Sequence, residues 1–266
     1  MSRQPTFYIP HGGGPCFFMD WMLGPKDTWH SLEKWLRRLP RLLPEKPKAI
    51  VVVSAHWEAN APTLTSGENP KLIYDYSGFP RHTYQLKWPA PGSLELASSI
   101  SDHLNEAGIL SQLNPTRGWD HGVFIPLKVC FPLADIPTVQ LSLIKGLDPG
   151  KHLDLGLALA PLRDQGVLIV GSGMSYHNMK MFLTPGARQQ SIRFDDWLVS
   201  TLAEDQWTRY DLLSRWKSAP GGAASHPNPD HLIPLMVAVG AAEADLGQCR
   251  FSDVVMGARV SAFQFG

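Results

Sequence analysis

The segment Ala49-Ile-Val-Val-Val-Ser constrains the fold more than any other part of the chain. Its apolar residues are consecutive, so a strand formed here has no face to give to water. A strand in a one-sided sheet would alternate apolar and polar residues instead. Residues 49–54 therefore require cover on both faces, which means helices packed on either side of a sheet. Further β-rich runs stand at 6–9, 138–143, 167–170 and 260–265. Helical spacing of apolar residues appears at 32–39, 93–107, 153–160, 191–202, 207–216 and 231–242. This alternation predicts an α/β fold with a mostly parallel or mixed central sheet flanked by helices. With 266 residues, 44% of them hydrophobic, a single domain spanning residues 1–266 is expected. The stretch at 74–92 is rich in aromatics, Pro and Gly and long for a connection, so it should serve a site or pack as an ordered flap.

The histidines fall where such a sheet would present them. His11 follows Phe7-Tyr8-Ile9-Pro10, and His56 follows Val51-Val52-Val53-Ser54-Ala55. His177 lies just beyond the run that ends in Gly171-Ser172-Gly173. Three strands thus each deliver a histidine at or past the C-terminal end, the edge at which open α/β sheets bind ligands. Two more stand in tight motifs. His121 sits in Gly118-Trp119-Asp120-His121-Gly122, and His231 ends His226-Pro227-Asn228-Pro229-Asp230-His231 ahead of an apolar helix. Asp230 is expected there as the N-cap or first-turn acid of that helix.

Cys16, Cys130 and Cys249 are odd in number, far apart and without a C-x-x-C pair, so a metal would have to sit on imidazole or carboxylate. Neutral imidazole suits Zn, Fe, Cu and Ni, and three protein ligands with open positions describe a catalytic site. Histidines in the same pocket that do not ligate would serve as acid–base groups. Taken singly, His11, His56 or His177 reads as a hydrogen-bonded strand-end residue. Taken together with His231, they predict a shared metal site at the C-terminal ends of the strands. His226 either braces the turn before the helix or faces substrate. His30, His82, His103 and His152 carry no partner pattern and read as solvated or structural. Among the aromatics, Trp57 beside His56 and Trp119 two residues before His121 are expected near the pocket.

Two esterase-like signals compete. His11-Gly12-Gly13-Gly14 looks like an oxyanion-hole motif, but the chain has no Gly-x-Ser-x-Gly elbow to accompany it. Gly118-Trp119-Asp120-His121-Gly122 has the spacing of an Asp-nucleophile elbow, yet polar Asn114-Pro115-Thr116-Arg117 precedes it where a buried strand is needed. A Gly-x-Gly-x-x-Gly dinucleotide loop and a phosphate-binding P-loop are absent from the sequence.

With these residues assembled, the chain resembles the class III extradiol ring-cleaving dioxygenases. Within them it is similar to the single-chain 4,5-DOPA dioxygenase branch, related to the catalytic subunit of protocatechuate 4,5-dioxygenase. The landmarks run in order through nearly the whole chain: HGGGP from His11, VVVSAHW from Val51, YDYSGFP from Tyr74, YQLKWPAPGS from Tyr84, RGWDHGVFIPL from Arg117, ADIPTVQLSL from Ala134, VLIVGSGMSYHN from Val167 and HPNPDHLIPLMVAVGAA from His226. The resemblance implies His11, His56 and His231 as metal ligands. It implies His177 as acid–base catalyst beside the metal, sometimes counted as a ligand, and His121 as a second pocket histidine contacting substrate or oxygen. The implied activity opens a catechol ring next to its two hydroxyls with O2 and ferrous iron, with zinc as a metal the site also fits. Tyr74, Tyr84, Trp57, Trp119 and His226 are then expected around the ring. HGGGP stands where HGSPM is commoner in this branch, a change at the pocket lip beside His11. The reading from another class is a zinc-dependent hydrolase or a non-oxygenase metal-binding protein on the same fold.

The expected partners are therefore a small catechol and O2. Lys plus Arg and Asp plus Glu are both 24, so no basic surface is offered to nucleic acid or to an anionic membrane. The N-terminus lacks an apolar signal region, and the apolar stretch near residues 232–242 is short of a membrane span, which predicts a cytoplasmic protein and leaves a homo-oligomer open.

Overall fold

The computed structural model describes residues 2–266. Among these residues eight strands form one sheet: β1 Thr6–Pro10, β2 Ala49–Ala59, β3 Thr63–Thr65, β4 Gln112–Asn114, β5 Thr138–Ile144, β6 Val167–Gly173, β7 Gly247–Val255 and β8 Ala258–Phe265. The helices are α1 His30–Arg38, α2 Leu94–Glu106, α3 His121–Cys130, α4 Pro149–Leu159, α5 Pro161–Asp164, α6 Pro185–Leu202, α7 Gln206–Ser214, α8 Gly222–Ser225 and α9 Ile233–Ala242. The strand order is β4-β3-β5-β2-β6-β1-β8-β7. The centre, β5-β2-β6-β1, is parallel, while β8 runs antiparallel to β1 and β7, and β3 antiparallel to β5. The sheet is thus mixed, with a parallel core and antiparallel margins.

The unbroken apolar run works as its composition requires. Ile50 and Val52 pack into one core with Phe7, Ile9, Leu168 and Val170, beneath α1 and α3. Val51 and Val53 pack into the opposite core with Tyr8, Ile169 and Leu141, beneath α2, α4, α6 and α9. Alternate residues of one strand therefore feed two separate layers, each closed by helices.

The strand at 49–54 runs on to Ala59, so His56 lies within β2. The pairing of β2 with β5 shifts register between Val53 and Glu58, a local irregularity that spans His56. Strands β3, β4 and β7 and helix α3 carry no clear pattern in the sequence and appear only in the structure. The helix expected from residue 231 begins at Ile233 with Leu232 as its cap, so His231 precedes it in the loop. Among the described residues no helix is long and apolar enough to cross a membrane.

Candidate metal centre

Four elements converge on the C-terminal edge of the parallel core. β1 ends at Pro10, and the backbone N–H of His11 donates to Gly173 O at 3.1 Å, fixing His11 at the end of β6. β2 carries His56 from the adjacent strand. The loop before α9 brings His231, whose carbonyl accepts from Tyr8 Oη at 2.7 Å and from Met174 N at 3.1 Å. A Cβ at Gly173 would lie 2.0 Å from that same carbonyl oxygen, so only glycine lets the loop reach the strand. Helix α3 delivers His121 as its first residue. A Cβ at Gly122 would meet Ser54 Oγ at 2.4 Å and His56 Cδ2 at 3.0 Å, so glycine is again what allows α3 to start against β2.

The result is a cluster of five imidazoles. One ring nitrogen each from His11, His56 and His231 lies within 4.8 Å of the other two. The Nε2 atoms of His11 and His56 face each other at 3.2 Å. The ring of His121 lies 4.0 Å from that of His56, and the ring of His177 stacks on His231 at 3.4 Å. Second partners orient the rings. His11 Nδ1 lies 2.9 Å from Gly12 O; as a donor there it leaves the Nε2 lone pair free. His121 Nδ1 and its backbone N–H both lie 2.9 Å from Asp75 Oδ1. His231 Nδ1 lies 3.0 Å from Asp230 Oδ1 but off the bonding direction, so this buried nitrogen has no hydrogen bond.

Burial holds His11, His56, His177 and His231 neutral. Desolvation, aided by the neighbouring imidazoles, keeps His11 and His231 well below the ordinary histidine range. The same causes lower His56 to about 3, with Asp75 opposing them. His177 is lowered by burial against the pull of Asp230. Burial pushes Asp75 up, but the hydrogen bond and charge of His121 outweigh it and leave the carboxyl lowered. Three neutral imidazoles converging in a largely buried site, one with an unpartnered buried nitrogen, form a donor set that fits a first-row divalent cation. His177 and the carboxylates of Asp75 and Asp230 stand beside it.

Some expected neighbours lie elsewhere. Trp119 is fully buried and packs on Trp88 with ring centroids 5.3 Å apart, so it is a core residue and offers no wall to a ligand. Trp57 is also buried, with the Arg117 guanidinium 4.4 Å over its ring. His226 is buried between Phe194 and Trp216, and its Nε2 lies 3.0 Å from Ser175 O. It braces the turn, the first of its two readings, and burial lowers it to about 3. Tyr74 and Tyr84 belong to an aromatic stack with Tyr76 and Phe124, and Tyr74 Oη donates to Leu86 O at 2.6 Å. It is Tyr76 whose ring comes within 5.8 Å of His121. Asp230 does not cap α9; its Oδ1 accepts from His231 N at 2.8 Å and stands 3.9 Å from His177 Nδ1.

The sequence also conceals two contributors from the aromatic segment, Asp75 and Phe79. Asp75 anchors His121, while Phe79 lines an apolar pocket of about 180 Å³ together with Gly12, Trp29, Met174 and His177. The segment is thus ordered and serves the site, as its length suggests. A third, Asp120, is completely buried and accepts from Ser54 Oγ, Gln140 Nε2 and Arg117 Nη2, fixing the start of α3. Its signal is the acid just before His121, with Arg117 three residues earlier as its local partner.

Comparison with known proteins agrees with this geometry. Residues 5–261 match the family model described as the catalytic LigB subunit of aromatic ring-opening dioxygenase. The chain is 41% identical to a 4,5-DOPA dioxygenase extradiol of Beta vulgaris over 243 residues, covering 90% of this chain and 87% of that one. It is 35% identical to the dioxygenase tasH of Hapsidospora irregularis, covering 100% and 86%. Among solved structures, an uncharacterized protein from Escherichia coli K12 superposes with a TM-score of 0.79 at 30% identity, over 99% of this chain and 100% of that one.

Proposed function

Because the chain belongs to the family of catalytic LigB subunits of aromatic ring-opening dioxygenases and is an extradiol ring-opening enzyme, we propose that His11, His56 and His231 hold its metal, ferrous iron, for cleavage of a substituted catechol. The observation that carries this reading is the convergence of three neutral imidazoles within 4.8 Å from three separate stretches of chain. When bound, the ferrous ion supplies the Lewis acidity and redox chemistry that O2 incorporation needs.

The chain's own residues then do the following. His177 stacks on His231 and turns Nδ1 toward Asp230, which leaves Nε2 to take a catechol proton and return it later. A positioned acid–base group of this kind contributes roughly 10²–10⁴-fold. His121, with Nδ1 held by Asp75, presents Nε2 to a substrate oxygen. Tyr76, edge-on to His121, and the surrounding aromatic stack exclude water from that side. The unpaired Cys16, Cys130 and Cys249 suit the reducing cytoplasm in which ferrous iron persists.

Metal analysis of His56→Ala and His231→Ala tests the ligand set. Each should hold well under one equivalent of metal; full retention in either removes that residue. Anaerobic loading with ferrous iron, then O2 and a catechol, should give O2 uptake and a yellow ring-opened product. Metal binding without O2 uptake would instead favour a zinc-dependent hydrolase or a non-oxygenase binding protein. His177→Ala should keep the metal and lose turnover.

A further inference from the structure

We propose that the apolar pocket beside the histidine cluster receives the ring substituent and selects catechols whose substituent is uncharged and apolar, an inference that rests on the catechol reading above. The pocket adjoins the proposed reaction centre directly. His177 forms part of its wall, and Gly12, Gly13 and Gly14, the residues after His11, form another part. The remaining lining is Trp21, Leu23, Trp29, Phe79, Met174, Met179, Phe182 and Met256. Among these described residues no side chain carries a fixed charge, and His177 alone is titratable.

Size and chemistry decide what this space accepts. About 180 Å³ is below the ~300 Å³ of a pocket that encloses a whole drug-sized ligand, so it is a subsite for a substituent. Two indole rings are held in place here. Trp21 Nε1 donates to Leu23 O at 2.9 Å, and Trp21 and Trp29 pack edge to face with centroids 5.4 Å apart. A Cβ at Gly13 would come within 2.9 Å of Trp21 and 3.2 Å of Trp29, so the glycine allows the indoles to close on the backbone. The methionines add adaptable, polarizable surface.

An amino-acid side chain on the catechol would bring a carboxylate and an ammonium, only a few bonds from the ring, into this lining. The lining offers them no charged side chain, only the unpartnered Trp29 Nε1–H, and a charge moved out of water without a counter-charge is strongly disfavoured. The charged groups nearby, Asp27, Lys34 and Asp253, line a neighbouring groove that shares Leu23 and Met256 with the pocket. A branched alkyl group has no such penalty.

The test uses the ferrous-loaded full chain with 4-tert-butylcatechol, 3,4-dihydroxyphenylacetate and DOPA. The expected kcat/KM is at least tenfold higher for 4-tert-butylcatechol than for either charged substrate. Preference for DOPA or the carboxylate would overturn the proposal while leaving the catechol reading intact. If no catechol is opened, that reading fails, and the pocket is judged separately by anaerobic titration of tryptophan fluorescence with the same three compounds. Tighter binding of 4-tert-butylcatechol supports the pocket assignment; equal or reversed affinities overturn it. Met179, two-thirds exposed at the rim, provides a variant that need not disturb folding. Met179→Lys should narrow the ratio of 4-tert-butylcatechol to 3,4-dihydroxyphenylacetate severalfold in both assays, and an unchanged ratio would remove Met179 from the substituent site.

Discussion

Asp75 shows how much of this centre depends on groups that act through another residue. One of its oxygens takes both the backbone N–H and Nδ1 of His121, so it sets where the imidazole stands and which nitrogen bears the proton. Asp75→Asn should keep its full metal content, since His121 lies outside the proposed ligand set, and lose roughly 10–100-fold in turnover, the usual range for an outer partner of a metal-site histidine. Parallel metal analysis and steady-state kinetics check both halves. His226 carries a stability prediction. Because burial lowers it to about 3, the folded state holds it neutral while the unfolded chain takes up a proton below the ordinary histidine value of about 6.5. Stability is therefore undiminished above pH 6.5 and falls as the pH drops below it, by about 2 kcal/mol at pH 5 from this residue alone. Denaturant melts of the wild type and His226→Asn at pH 7 and pH 5 should show a shallower loss in the variant. The histidines were legible because each follows a strand or marks a motif. Asp75 was not, because a carboxylate in an aromatic loop has no local pattern that points to a residue 46 positions away. Trp57 is legible only as a neighbour of His56: successive residues of a strand send their side chains to different faces, and its ring meets the Arg117 guanidinium.

At the scale of elements, the site depends on how closely loops and helices approach the ends of β2 and β6. Gly173→Ala would drive a methyl into the carbonyl of His231, the same oxygen that Tyr8 and Met174 hold. The variant should lose about 1–3 kcal/mol, as overpacking usually costs, and also bind less metal. Thermal unfolding with metal analysis would separate this from simple core damage, which need not affect metal content. The parallel core strands were legible because burial on both faces forces an unmistakable apolar run. The margins were not. β3 and β4 have three residues each, too few for a period. β7 lies at the sheet edge with most of Gly247–Arg250 and Ser252 turned outward, so the apolar signal is lost there. Helix α3 is buried nearly all round with Pro126 inside it, and so shows no amphipathic rhythm from which a helix could be inferred.

For the whole molecule, metal binding and folding are linked, because the three proposed ligands meet only in the folded state. At a free metal concentration 100 times Kd the native state gains about 2.7 kcal/mol. For a chain of this size that should raise Tm by roughly 5–10 °C, and a chelator should reverse the shift. Scanning calorimetry with ferrous iron under anaerobic conditions, and with zinc, measures this without any assay of turnover. The arrangement of the sheet adds a constraint in time. β1, which leads into His11, lies between β6 and β8, and β8 starts only at Ala258. A polypeptide still emerging from the ribosome therefore exposes β1 without a neighbour on that side until β8 has been made. His231 is likewise synthesised long after His11, so metal loading on the proposed ligands has to wait for most of translation, and a chain stalled or clipped ahead of Ala258 would present its early histidines without the strand that flanks β1.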